Sequence, residues 1–65
     1  MLIKLTGISG GVYLVNPGKI MFIAPYKTRS NEEASEIVFG ADNVLRVSAT
    51  IDEIAEKILN ETEET

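Results

Sequence analysis

The sequence predicts a mainly β, α+β domain: a small antiparallel five-stranded meander or curled sheet with one C-terminal amphipathic helix. Three observations predict it. Short apolar runs recur between turn residues over residues 1–49. Glycine and proline punctuate those runs at hairpin-like intervals. A helical spacing of apolar residues emerges only after Thr50.

The first strand is expected over Leu2–Thr6, stopping at Gly7, and the second over Val12–Val15 after Gly10-Gly11. Asn16-Pro17-Gly18-Lys19 reads as a type II turn, with proline presetting φ and Gly18 taking the positive φ. A third strand, Ile20–Ala24, should end at Pro25, which cannot donate to a ladder. The polar stretch Tyr26–Glu33 reads as a loop. Strands over Ser35–Phe39 and Val44–Ala49 follow, joined by Gly40-Ala41-Asp42-Asn43. In these two, Ile37, Phe39, Leu45 and Val47 alternate with Glu36, Val38, Arg46 and Ser48. The first three strands are apolar on both faces, which implies a curled sheet or a face covered by another subunit.

The helix is expected over about 50–60. Ile51, Ile54, Ala55, Ile58 and Leu59 fall on one face. Thr50-Ile51-Asp52-Glu53 supplies a capping box, with the Thr50 hydroxyl and the Glu53 carboxylate each reaching the other's backbone N–H. Residues 1–60 thus form one domain, and 61–65 an acidic tail expected to fray.

Composition narrows the chemistry. The chain has 65 residues, no cysteine and no histidine. Disulfides are impossible, and neither a metal nor a cofactor is expected. A domain this small has a thin stability margin, and with those staples excluded a homo-oligomer is the expected remedy. The absent cysteine fits a reducing compartment, and no basic-then-apolar leader or membrane-length apolar run occurs. The expected location is cytoplasmic, without membrane insertion.

Net charge is −4, unevenly placed. Residues 1–49 nearly balance, with Lys4, Lys19, Lys27, Arg29 and Arg46 against Glu32, Glu33, Glu36 and Asp42. The acid excess lies in Asp52, Glu53, Glu56, Glu61, Glu63 and Glu64. No basic stripe suits a phosphate backbone, so nucleic acid is disfavoured.

Gly7-Ile8-Ser9-Gly10-Gly11 matches the pattern of a nucleophile elbow. That chemistry needs a following helix and a histidine base, and the expected next element is a strand. The same glycines lack phosphate-loop spacing. Asp52, Glu53 and Glu56 belong to the polar side of the helix, where nothing would desolvate an acid–base pair. No enzymatic activity is expected. Tyr26-Lys27-Thr28-Arg29-Ser30-Asn31 is the stretch best equipped for recognition, with an aromatic face, two cations and hydrogen-bonding side chains. Tyr26, Lys27, Arg29, Asn31 and Arg46 are the candidate ligand-binding residues; Arg46 either meets solvent or pairs with Glu36 across the sheet.

Taken together, Ile3-Lys4-Leu5-Thr6, the glycines at 10 and 11, Leu14-Val15-Asn16-Pro17, Ile20, Ile23, Val47 and Thr50-Ile51-Asp52-Glu53-Ile54 resemble the FlbD/YlzI (SwrD-like) family of small flagellum-associated bacterial proteins. The resemblance implies a non-enzymatic protein implicated in flagellar motor function, acting through protein contacts. This chain's acidic helix end differs from the lysine and arginine often found there in the family. Phage genomes carry proteins of this general look too. Met1-Leu2-Ile3 is also similar to the opening of the CsrA/RsmA RNA-binding dimers. However, Gly7 stands where a basic residue is expected, and Val47-Ser48-Ala49-Thr50 lacks the arginine expected before the helix.

Three functions follow as expectations. The first is a homo-oligomeric protein-interaction module. The second is a homo-oligomer that binds or sequesters a small anionic, nucleotide-like molecule. The third is an RNA-binding regulator.

Overall fold

In a computed structural model that describes residues 1–63, five strands and one α-helix form a two-stranded hairpin and a three-stranded sheet. Strands β1 (Ile3–Thr6) and β2 (Val12–Val15) form the first. Strands β3 (Phe22–Lys27), β4 (Glu33–Gly40) and β5 (Asn43–Val47) form a three-stranded antiparallel sheet in that order. The helix α1 (Ile51–Glu63) follows. The mainly β, α+β class is the one the sequence predicts.

The strands do not run as one continuous meander. The sequence of hairpins breaks between β2 and β3, and the end of β1 crosses instead to β5. Gly7 bridges Val47, flanked by bonds from the Ser48 N–H to the Thr6 carbonyl at 2.9 Å and from the Ile8 N–H to the Arg46 carbonyl at 3.1 Å. The sheets therefore curl onto one another at a corner, with β2 and β3 at the two open edges.

The break coincides with a short 3₁₀ helix, Pro17–Lys19, where a type II turn was expected. Asn16 decides this. Its side-chain oxygen accepts from the Gly18 N–H at 2.9 Å, and its carbonyl accepts from the Lys19 N–H at 3.0 Å. Those bonds cap a helical turn, so Gly18 has no need of a positive φ.

Strand β3 corrects the expected boundaries. It starts at Phe22 rather than Ile20 and runs through Pro25 to Lys27, so Tyr26 and Lys27 are strand residues, not loop residues. Proline is tolerated because β3 is an edge strand. The Thr28 N–H points towards β4, donating to the Glu32 carbonyl at 3.0 Å. Alternation along the strand then turns the Pro25 nitrogen to the open side, where no ladder bond is lost. Strand β4 likewise begins at Glu33, and β5 ends at Val47, two residues before its expected end.

The core draws on every part. Ile3, Leu5 and Val15 from the first hairpin meet Ile37 and Val47 from the three-stranded sheet and Ile54 from the helix. Ser35 is buried among them and donates its hydroxyl to the Ala49 carbonyl at 2.7 Å, which ties β4 to the turn before the helix.

The capping box forms as expected. The Thr50 N–H donates to Glu53 Oε1 at 2.8 Å, and the Glu53 N–H donates to Thr50 Oγ1 at 3.2 Å. The helix continues past the expected end at 60 to Glu63. The fraying expected of 61–65 is not what residues 61–63 show, and residues 64 and 65 lie outside the described residues. The helix seats only part of its apolar face. Ile54 is fully buried and Ile58 half-buried, whereas Ile51, Ala55 and Leu59 are exposed.

Candidate functional site

The three-stranded sheet has two unlike faces. Register places Ile23, Ile37 and Leu45 side by side on the face that meets the core. The neighbouring rows, Phe22–Val38–Val44 and Ala24–Glu36–Arg46, project from the other face together with Tyr26. Phe22 is 55% exposed there and Val44 46%.

Polar chemistry on this outer face centres on Arg46. Its Nε donates to Glu36 Oε2 at 3.0 Å, and its guanidinium carbon lies 4.7 Å from the centre of the Tyr26 ring. Tyr26 and Arg46 are diagonal neighbours across β4, so stacking requires β3, β4 and β5 to be in register together. The ion pair is solvent-exposed and contributes only a few tenths of a kcal/mol, to about 1 at most. Its larger effect is to neutralise the face, leaving an apolar row beside a self-compensated charge pair.

The five candidate ligand-binding residues are not gathered into one site. Tyr26 and Arg46 meet. Lys27 alternates to the opposite side of β3, at the strand end, in register with Glu33. Arg29 and Asn31 lie in the β3–β4 turn, which spans only Thr28–Glu32. Asn31 has a backbone role there: it adopts φ 64°, and its N–H donates to the Thr28 carbonyl at 2.9 Å. Asparagine tolerates that left-handed conformation better than most residues. Thr28 Oγ1 also accepts from the Glu32 N–H at 3.1 Å.

Ser9 lies in the turn of the first hairpin, between two strands, so the strand-to-helix geometry of a nucleophile elbow is absent around it. The turn is held by the Gly7 N–H donating to the Gly11 carbonyl at 2.6 Å and the Gly10 N–H donating to the Gly7 carbonyl at 2.9 Å. Among the described residues, no three carboxylates gather as metal ligands would, and no helix is long and apolar enough to cross a membrane.

Sequence reasoning placed Val38 on the face of Glu36 but did not single out Phe22, Val38 and Val44 as a surface row, because the row exists only through the pairing of three strands. A second open apolar area lies on the first hairpin, where Leu2, Val12 and Leu14 are exposed beside Lys4 and Lys57. No protein-family model, curated protein or solved structure matches this chain.

Proposed function

We propose that this chain is a non-catalytic protein-interaction module, FlbD-like in kind, that docks a protein partner through the outer face of the β3–β4–β5 sheet. The observation that supports it is the apolar row Phe22–Val38–Val44, exposed at both ends and half-buried at Val38, beside a Glu36–Arg46 pair that cancels its own charge. Such a face suits a partner segment with an apolar centre and little net charge. Aromatic and arginine side chains such as Phe22, Tyr26 and Arg46 are the types that anchor protein contacts. The same reading has the protein act in the cytoplasm and assemble with copies of itself.

The small-anion reading is weaker on this geometry. An anion at Arg46 would have to compete with the adjacent Glu36 carboxylate, Lys27 alternates to the opposite face, and Arg29 lies in the turn. An RNA-binding reading has still less support, since the face carries no net positive charge.

Site-specific photocrosslinking in bacterial cells, with the probe at Val44, tests the proposal. A discrete protein adduct is expected, lost in Val38→Asp and kept in the double variant Lys27→Ala/Arg29→Ala. A nucleotide-dependent rise in Tm that vanishes in that double variant, with no adduct from Val44, would replace this reading by the ligand-binding one.

A further inference from the structure

The molecule has two open sheet edges, and they are not equivalent. On β3 the outward position in the middle of the strand is Pro25, which has no N–H to offer. Proline at an edge is a common guard against strand addition. On β2, Val12-Tyr13-Leu14-Val15, there is no proline, no charge and no bulge.

The direction of the β2 backbone groups follows from the turn. Gly7 and Gly11 form a hydrogen-bonded pair, with the Gly7 N–H on the Gly11 carbonyl. The β1–β2 register continues from it without a shift: Thr6 opposite Val12, Leu5 opposite Tyr13, Lys4 opposite Leu14, Ile3 opposite Val15. Alternation in an antiparallel ladder therefore directs the Tyr13 and Val15 backbone groups to β1, and those of Val12 and Leu14 to the open side. Among the described residues, no hydrogen bond from outside the hairpin reaches Val12 or Leu14. The two residues are 63% and 65% exposed.

The far side of β1 contrasts with this. Gly7 and its neighbours are closed by β5, and the outward Lys4 carbonyl accepts from Lys57 Nζ at 3.0 Å. The fold thus closes the inner edge of the hairpin and leaves β2 open.

We infer that β2 is a self-pairing edge: two copies join antiparallel about a two-fold axis at Tyr13, merging their first hairpins into one four-stranded sheet. The pleat allows only registers in which facing residues share a face. Among these, an axis at Tyr13 is the one that pairs both outward residues of the strand, with Val12 opposite the partner copy's Leu14 and Tyr13 opposite its own counterpart. In that register Val12 and Leu14 exchange backbone bonds with the partner copy, using the groups that point outward. The exposed Val12 and Leu14 side chains of both copies then form one apolar cluster.

A second copy is the occupant because the strand is self-complementary in this register and presents no charge that would select a different chain. Because Pro25 guards the other edge, each copy has one competent edge, and pairing closes as a dimer instead of propagating as a fibre. This surface is separate from the outer sheet face proposed above, so either can fail without the other.

At this length the full chain is accessible to chemical synthesis, which permits a single-atom test. Replacing the Leu14 amide by an ester removes the outward N–H and keeps every β1–β2 ladder donor, while the Tyr13 carbonyl, now an ester carbonyl, becomes a weaker acceptor opposite Leu5. Size and mass are read by native mass spectrometry and light scattering across a dilution series, with amide exchange followed by NMR. The expected result is a dimer whose Val12 and Leu14 amides alone become protected as concentration rises. The ester should weaken that dimer about tenfold, since two symmetry-related bonds are lost, while Tm at a monomeric dilution falls only slightly, through the weaker Tyr13 acceptor. Leu14→Lys should abolish the dimer, and Phe22→Asp should leave it intact. A monomer at every concentration would overturn the inference. So would concentration-independent exchange at Val12 and Leu14, or a dimer that survives the ester and dissociates with Phe22→Asp.

Discussion

The two hairpins share one turn design and differ in everything the turn holds. In each, the first residue donates to the carbonyl four positions on and accepts from the N–H three positions on: Gly7 with Gly11 and Gly10, Thr28 with Glu32 and Asn31. In each, the fourth residue has a positive φ, 102° at Gly10 and 64° at Asn31. This is a three-residue hairpin loop of the kind that ends in a left-handed residue. The first hairpin builds it from glycines and an unguarded apolar edge. The second builds it from hydrogen-bonding side chains and an edge guarded by Pro25. Backbone geometry is thus common property here, and sequence decides which edge stays open to a partner.

The largest test of the comparison concerns what joins the hairpins. Ile54 is fully buried between Ile3, Leu5 and Val15 on one side and Ile37 and Val47 on the other. Ile54→Ala should cost about 2–5 kcal/mol, read as a lower urea midpoint. A loss below about 1 kcal/mol, outside the range for a buried isoleucine, would mean that the sheets hold each other without the helix.

Next comes the corner. A Cβ added at Gly7 would lie 2.8 Å from Tyr13 Cε1, so the ring must move. Gly7→Ala should cost about 1–3 kcal/mol. Pairing it with Tyr13→Ala should show strong non-additivity in a double-mutant cycle.

The turns themselves differ by less. Gly10→Ala should cost about 1–2 kcal/mol, because φ 102° is unfavourable for any residue with a Cβ, although the space around it is open. Asn31→Gly at the matching position should be within about 0.5 kcal/mol of neutral, as glycine relieves the strain but loosens the unfolded chain. Equal effects at both turns would break the equivalence drawn above. The outer face should also matter little: Glu36→Gln should cost a few tenths of a kcal/mol, to about 1 at most, and less as salt is raised.

Much of this was legible locally. The capping box at Thr50 and Glu53 needs only four consecutive residues, and the alternation of β4 and β5 needs only a period of two. Strand β3 was legible as a strand but not in its bounds, because Pro25 forbids a central strand but not an edge strand, and no residue states which strand will be at the edge. Misplacing β3 also hid the site. With Tyr26 and Lys27 in a loop they seem free to converge on a ligand; on a strand they must face opposite ways. The meeting of Tyr26 with Arg46 depends on two registers at once, beyond the reach of local pattern. Asn16 misled in the same manner, since Pro17-Gly18 suits a type II turn until its own side chain bonds the Gly18 N–H.

The corner where β1 meets β5 also sets an order of events. Each hairpin closes over a few residues, on the microsecond scale. The Ser48 hydroxyl and Thr6, joined at 3.3 Å, are 42 positions apart in the chain. Closing a loop of that length costs about 3 kcal/mol of chain entropy before any contact rewards it. Docking of the first hairpin against the three-stranded sheet is therefore the step expected to be slow. Substitutions at Gly7 should retard folding, whereas those on the outer faces should mainly hasten unfolding. Until the corner closes, the near side of β1 lies as bare as β2, and the chain passes through its most adhesive interval.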